Sequence, residues 1–234
     1  MKQMQMHRLW LMLSAGTCVT VAACSFMAPQ RDLTQYFVLS PTVPRGSSAA
    51  SAASTASLSV GVGPIRFPGY LKQPWVVTRM TSNRLSVSGE KRWGEPLERD
   101  FESVLSQNLS QILRTVKITN YPWYGDTHID YQVDVWVERF EATEDGQSWL
   151  TAVWTIKDGE DGRELASGQS FTTAPVLDGD TAGAVALSQN LGQMSRQIAE
   201  RTVELNAIPG LRGAQTSNAG PRAREAAGGG LPAK

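Results

Sequence analysis

The sequence predicts an α+β fold, a single domain in which two amphipathic helices pack on one face of a mainly antiparallel sheet. Apolar and polar residues alternate in three consecutive segments between residues 131 and 171, a pattern typical of strands with one buried face. Two other stretches carry apolar residues three and four positions apart, as amphipathic helices do. The order along the chain is strands, helix, strands, helix, and this order favours an α+β domain.

The N-terminal segment is predicted to direct export. Basic residues precede an apolar stretch at residues 9–21, which is shorter than the roughly 20 residues needed to cross a bilayer. Residues 1–23 are therefore predicted to be a lipoprotein signal peptide. The small residues before Cys24 resemble a bacterial lipobox, and this resemblance implies that Cys24 is acylated as the first mature residue. Cys18 would leave with the signal, so a disulfide between the two cysteines is not expected.

The first elements of the domain follow a tether. Residues 24–35 show little periodicity and are predicted to be that tether, and residues 36–39 form a short apolar strand. Residues 43–57 are rich in Ser and Ala and too poor in apolar bulk to offset the entropy of ordering. This stretch is predicted to be a flexible Ser/Ala loop within a domain that covers residues 36–208.

A group of short strands leads into the first helix. Residues 58–62, 76–77 and 85–88 have the composition of β segments. Pro96 suits the first turn of a helix, where its missing N–H costs nothing. Residues 97–113 then carry apolar side chains at helical spacing, which predicts an amphipathic helix lying on the sheet.

Further strands and a second helix complete the domain. Residues 116–119 predict a short strand, and the three alternating segments with acidic turns between them predict consecutive antiparallel strands. Asp178 or Asp180 can cap the last helix, in which residues 187–205 contain an apolar stripe. Residues 209–234 are rich in Gly, Ala, Pro and Arg and are predicted to be a disordered tail.

Composition argues against several classes of function. Removing the signal peptide takes away two of the 22 basic residues and none of the 22 acidic ones, so the formal charge falls to about −2. Such a chain lacks the basic excess of a nucleic-acid-binding protein. His128 is then the only histidine and no cysteine is free, so a His/Cys zinc site is not expected. No G-x-S-x-G elbow is present to support a serine triad.

The remaining catalytic candidates are also weak. Residues 61–64 lack the third glycine and the lysine of a phosphate loop. The acidic residues near 138–145 and 158–161 lie in predicted turns, where carboxylates are usually solvated. We therefore expect no enzyme activity, no catalytic residue and no metal site. The covalent lipid on Cys24 is the only attached group expected.

The centre of the chain resembles a known family. The residues that carry the resemblance are the lipobox, Tyr36 to Pro41, Val62-Gly63-Pro64-Ile65, Gly69-Tyr70-Leu71, Thr78-Arg79 and Arg92-Trp93-Gly94-Glu95-Pro96-Leu97. In these residues the chain is similar to the ABC-type transport auxiliary lipoproteins of the PqiC and YmbA type, found in Gram-negative bacteria. The loop at 43–57 and the tail lie outside the resemblance.

The resemblance implies a lipoprotein of the outer membrane that faces the periplasm and supports envelope integrity. Ser25 rather than Asp follows Cys24, as the usual sorting rule for the outer membrane requires. The implied partners are an MCE-domain protein and an inner-membrane transporter component, whose lipid conduit this chain would dock to the outer membrane. A structural envelope-assembly lipoprotein, or a lipid-binding carrier with an internal apolar cavity, is the alternative, and a homo-oligomer is also open.

Surface contacts are expected in two segments. Residues 67–79 and the aromatic turn at 121–124 are expected to contact a partner or lipid, although core packing is an equally open role for Tyr70 and Leu71. Arg79 is expected either to bind a phosphate head group or to pair with a carboxylate such as Glu95. The candidate contact residues are Phe67, Tyr70, Leu71, Trp75, Arg79, Tyr121, Trp123 and Tyr124.

Overall fold

Eight strands and two helices make up the part of the chain that this computed structural model describes, residues 32–42, 55–125 and 127–209. The strands are β1 (Gln35–Phe37), β2 (Val60–Arg66), β3 (Trp75–Thr81), β4 (Arg84–Trp93), β5 (Ile118–Asn120), β6 (Tyr131–Thr143), β7 (Gln147–Asp158) and β8 (Glu164–Pro175). The helices are α1 (Leu97–Leu113) and α2 (Ala182–Asn206), and a 3₁₀ turn covers Gly69–Leu71. The predicted α+β class and single domain are confirmed.

The sheet is mixed and is organised around β6. One edge of β6 pairs antiparallel with β7 from Tyr131 to Ala142, and β8 pairs antiparallel with β7. The other edge of β6 is shared by β2, parallel to its first half, and β3, parallel to its last two residues. Strand β5 lies outside β2, and β4 and β1 lie outside β3. The long antiparallel ladders join β6, β7 and β8, the three consecutive strands that the alternating pattern predicts. Most of the shorter ladders, which join the other strands, are parallel.

Helix α1 follows the predicted pattern closely. Pro96 is its N-cap residue, and the helix ends at Leu113, followed by the C-cap residue Arg114 in the left-handed conformation at a φ of 55°. The residues at helical spacing form its buried face, among them Phe101, Leu105 and Leu109, none of which has any exposed surface. This face lies on β2 and β5 and also contacts α2.

Helix α2 packs on the same face of the sheet, against β6, β7 and β8. Its predicted stripe is buried, with Leu191, Met194 and Ile198 fully inaccessible. The predicted cap is wrong, because the N-cap residue is Thr181 and no side chain caps the helix. The two helices and the sheet thus enclose one continuous apolar core.

Several sequence predictions fall on residues that the structure does not describe. The signal peptide at 1–23, Cys24, most of the tether at 24–35, residues 43–54 of the Ser/Ala loop and the tail from residue 210 lie outside the described ranges. At the end of the loop, Thr55 is buried, and its hydroxyl donates a 2.7 Å hydrogen bond to the carbonyl of Leu113. Thr55 therefore packs against the end of α1.

Candidate functional site

A buried glutamate lies on the sheet face opposite the helices. The β6–β7 register shifts between Val137 and Arg139, and such a bulge changes which residues point to each face. Val137 and Phe140 consequently both point into the core, and Glu141 points outward. Glu141 is nevertheless only 1% exposed, because side chains from the segment at residues 67–79 cover it.

Three side chains donate hydrogen bonds to Glu141. Tyr70 Oη lies 2.6 Å from Oε2, Arg79 Nε lies 2.6 Å from Oε1, and Arg139 Nε lies 3.1 Å from Oε1. The Arg79 guanidinium also lies 5.9 Å from the centre of the Tyr70 ring. We call these four residues the Glu141 cluster. The predicted pairing of Arg79 with a carboxylate is confirmed, and its partner is Glu141 rather than Glu95.

The Glu141 cluster favours the ionised glutamate. Burial alone would raise the pKa of Glu141, but the hydrogen bonds from Tyr70, Arg79 and Arg139 outweigh it, so this pKa lies below its usual range. Burial and the bond to Glu141 raise the pKa of the Tyr70 phenol, and the bond to Glu141 raises that of Arg79. A carboxylate so stabilised is a poor proton donor or acceptor near neutral pH. The cluster is therefore suited to fastening the 3₁₀ turn to the sheet.

Two of the candidate contact residues lie in the core. Phe67 is 6% exposed and Leu71 is 4% exposed. The Phe67 ring meets Phe101 edge-on, with the ring centres 5.2 Å apart, and Phe140 at 6.3 Å. The expectation that Phe67 offers a surface to a partner is corrected, and Leu71 takes the core role that the sequence left open.

The aromatic turn at residues 121–124 packs against two glycines of β2. An added Cβ at Gly61 would lie 3.0 Å from the Trp123 ring, and one at Gly63 would lie 2.6 Å from Cβ of Tyr121. The rings of Tyr121 and Trp123 meet edge-on, with their centres 5.5 Å apart. The glycines therefore give room to an aromatic side-chain pair.

Part of this turn remains at the surface. Tyr121 is 50% exposed and Tyr124 is 79% exposed, whereas Trp123 is half-buried. Trp75 is also half-buried, at the start of β3. Of the candidate contact residues, Tyr124 is thus the side chain most available to a partner.

A second exposed apolar surface was not predicted from the sequence. Trp136 of β6 pairs with Val153 of β7, and Phe171 of β8 lies diagonally beyond Val153, all on the face opposite the helices. Their exposures are 61%, 38% and 64%. We call these residues the sheet patch. The available signal was a tryptophan at a polar position of the alternating pattern, since Trp136 stands between Asp134 and Glu138.

Few other features of the described residues point to chemistry. Among them, no group of three or more His, Cys, Asp or Glu side chains is placed to hold a metal ion. None of the helices in the described ranges is long and apolar enough to cross a membrane. A surface groove of about 310 Å³ lies between α2 and the β3 and β4 strands and is lined by Phe37, Val76, Trp93 and Leu187, among others.

Comparisons with known proteins agree with this architecture. Residues 37–199 match the family described as the ABC-type transport auxiliary lipoprotein component. A protein from Xanthomonas campestris with a known crystal structure shares 20% sequence identity with this chain. The two structures superpose with a TM-score of 0.61, and the match covers 73% of this chain and 95% of that one. A crystal structure of an uncharacterized protein is 18% identical, with a TM-score of 0.58 over 72% of this chain and 99% of that one. These likenesses show a shared fold, and no curated protein matches the chain.

Proposed function

This chain belongs to the family of ABC-type transport auxiliary lipoprotein components, and on that premise we propose that it serves an MCE-type lipid transport system. In this proposal, acyl chains on Cys24 anchor the protein in the outer membrane with its domain facing the periplasm. The domain docks the transport conduit, formed by an MCE-domain protein and an inner-membrane transporter component, to that membrane. This docking supports envelope integrity.

The observation that carries the docking role is the contrast between a filled interior and exposed aromatic side chains. Val60, Leu105 and Ile198, which lie between the helices and the sheet, have no exposed surface. Tyr124 and the sheet patch, by contrast, leave large rings in contact with solvent. Contiguous exposed apolar surface commonly marks an interaction site, and aromatic residues are enriched at the centres of interfaces.

A carrier with an internal cavity receives less support. The described residues form grooves of about 310, 450 and 480 Å³, in the lower half of the roughly 300–1,000 Å³ range of small-molecule sites. The lining of the 310 Å³ groove includes the core residues Phe37, Trp93 and Leu187, so it is a groove at the margin of the core. An adaptor that binds through its surface therefore fits this interior better than a carrier.

Photo-cross-linking in cells tests the docking role. A benzophenone amino acid would replace Tyr124, Trp136 or Phe171 in the full lipoprotein, and captured proteins would be identified by mass spectrometry. We expect an MCE-domain protein to be captured from at least one position. The matched controls are Val116 and Val87, which are apolar residues 93% and 58% exposed outside both surfaces.

The outcomes separate the alternatives. Capture of the same proteins from the control positions, or of no MCE-domain protein from any position, would contradict docking. Capture of outer-membrane assembly proteins alone would favour the structural lipoprotein. The mass of the intact, membrane-purified protein tests the anchor separately, because an unmodified thiol and a free amine at Cys24 would contradict lipidation.

A further inference from the structure

Three outward-facing side chains form a row across the first strands of the domain. Tyr36 of β1 pairs with Arg92 of β4, and Arg92 pairs with Trp75 of β3. Residues paired on adjacent strands share a face of the sheet. Their sequence neighbours Phe37 and Trp93 also pair with each other, and both are buried in the core. Arg92 therefore lies on the face opposite the helices with Tyr36 and Trp75 beside it, and we call these three residues the β1 row. At this sheet edge Tyr36 and Val38 also line a groove of about 450 Å³ with Thr181 and Val185 at the start of α2.

The β1 row combines two aromatic rings with a cation. Tyr36 is 65% exposed, and Val38, two residues further along the same extended segment, is 56% exposed. Arg92 is half-buried, and within the described part of the chain its Nε is inaccessible and has no hydrogen-bond partner, so a phosphate would meet the terminal guanidinium nitrogens. Tyrosine and tryptophan favour the membrane–water interface, and a guanidinium binds phosphate oxygens through directed hydrogen bonds. This composition matches a phospholipid surface.

The position of the β1 row in the chain also favours the membrane. Strand β1 is the first element after the predicted tether, and Gln35 follows Cys24 by 11 residues. At about 3.5 Å per residue, an acylated Cys24 keeps Gln35 within roughly 40 Å of the bilayer. The strand is firmly held, because Gly94 N donates to Phe37 O at 2.8 Å and Leu39 N donates to Asp100 Oδ2 at 2.7 Å.

We propose that the β1 row and Val38 rest on the phospholipid head groups of the membrane that carries the anchor, with Arg92 binding a lipid phosphate. This inference depends on the proposed lipid anchor at Cys24 and adds a second, non-covalent contact to it. The contact gives the domain one preferred orientation on the bilayer. Tyr124, which follows β5 at the other end of the strand order from β1, is then presented to partners in a fixed direction.

Site-specific quenching tests this contact. Val38→Cys in the full lipoprotein would carry a fluorescent label, and the protein would be reconstituted into vesicles of phosphatidylethanolamine and phosphatidylglycerol that contain lipids spin-labelled at the head group. Val116→Cys, at a position 93% exposed, provides the matched control. We expect strong quenching of the label at residue 38 and weak quenching at residue 116.

Two further variants test the side chains of the β1 row. Arg92→Gln in the Val38→Cys protein should lower about fivefold the ratio of domains that contact the head groups to domains that do not. The reason is that a basic residue at an anionic membrane surface contributes about 1 kcal/mol. Tyr36→Ser should also weaken the quenching, and its exposed position makes loss of folding unexpected. Both variants should still float with the vesicles through their acyl chains.

The results distinguish this inference from the proposed anchor. Equal quenching at residues 38 and 116 in protein that floats with the vesicles would overturn the head-group contact and leave the anchor intact. Unchanged quenching in both Arg92→Gln and Tyr36→Ser would also overturn it. Protection of the residue 38 label only after an MCE-domain protein is added would make the β1 row a protein interface instead. Failure to float, with no acyl mass on Cys24, would overturn both proposals.

Discussion

Replacing Glu141 by Gln should destabilise the domain substantially. The substitution keeps the shape of the side chain but removes its charge and turns one of its two acceptor oxygens into an N–H donor. Arg79 and Arg139 both reach Oε1 through Nε, and Tyr70 donates to Oε2. Whichever way the amide is oriented, its NH₂ group faces at least one donor. The result is a hydrogen-bond mismatch in a position that is 1% exposed.

The expected size of the loss follows from the exposure of the partners. A hydrogen bond to a charged group contributes about 1.5–3 kcal/mol, and breaking a buried ion pair costs about 3–5 kcal/mol. The side chains of Arg79 and Arg139 remain 20% and 33% exposed, so each can regain contact with water after the substitution. We therefore expect a loss of about 2–3 kcal/mol in the free energy of unfolding. For a domain of about 170 residues this corresponds to a decrease in Tm of roughly 5–10 °C.

Urea unfolding followed by circular dichroism measures this effect in the detergent-solubilised protein. Glu138→Gln is the matched control, because Glu138 is exposed on the same strand, and we expect it to change stability by less than about 0.5 kcal/mol. Tyr70→Phe, alone and combined with Glu141→Gln, completes a double-mutant cycle that should reveal a coupling of about 1 kcal/mol or more. A stability change for Glu141→Gln no larger than that of Glu138→Gln would refute the structural role of the Glu141 cluster.

Three other predictions concern titration and backbone space. Burial alone would raise the pKa of Glu141, but its three side-chain donors lower it. The ionised glutamate should therefore stabilise the fold fully above about pH 4.3, the pKa of an unfolded glutamate. This stabilisation should be lost as the pH falls through the lower pKa of the folded state. Urea unfolding between pH 7 and pH 3 should show this loss in the native chain and not in Glu141→Gln. Burial raises the pKa of Asp100, so ionisation of Asp100 should lower the stability of the native chain as pH rises. Unfolding measured at about pH 4 and pH 7 should therefore show Asp100→Asn gaining stability relative to the native chain at the higher pH. Gly63→Ala places a Cβ 2.6 Å from Tyr121 at a φ of +113° and should lower stability by more than about 1 kcal/mol. In thermal denaturation, Gly89→Ala, which meets nothing within 4 Å, should differ from the native chain by less than about 0.5 kcal/mol.

The elements with a strong local pattern were predictable from sequence. Apolar and polar residues alternate through residues 131–171 with few interruptions, and successive side chains of a strand point to opposite faces of the sheet. The apolar stripes of α1 and α2 are equally local, because a helix places residues three and four apart on one face. The cap of α2 was predicted wrongly, because the helix begins at Ala182, two residues after Asp180, and Thr181 occupies the N-cap position. Local sequence cannot fix an end that depends on packing.

Features that depend on distant residues were less predictable. Strands β3 and β4 extend well beyond the short segments predicted at 76–77 and 85–88, because their pairing with each other supports polar residues that have weak strand preference. The Glu141 cluster joins residues 62 and 71 positions apart, and no local periodicity reports such a contact. Before the bulge in β6, odd-numbered residues point into the core, and continuing that alternation would bury Glu141 there. The bulge reverses the alternation, so Glu141 points to the opposite face.

Most of the residues that carry the family resemblance stabilise this fold, so the residues that bind a partner should be sought elsewhere. Gly63 gives room to the aromatic turn, Tyr70 and Arg79 fasten the 3₁₀ turn to Glu141, and Trp93 is buried. A side chain committed to such contacts is largely unavailable to a partner, so these residues account for the fold more directly than for docking. Partner specificity should therefore depend on residues outside them. On this argument, substitutions in the sheet patch should affect transport without loss of stability, whereas substitutions in the Glu141 cluster should affect both together.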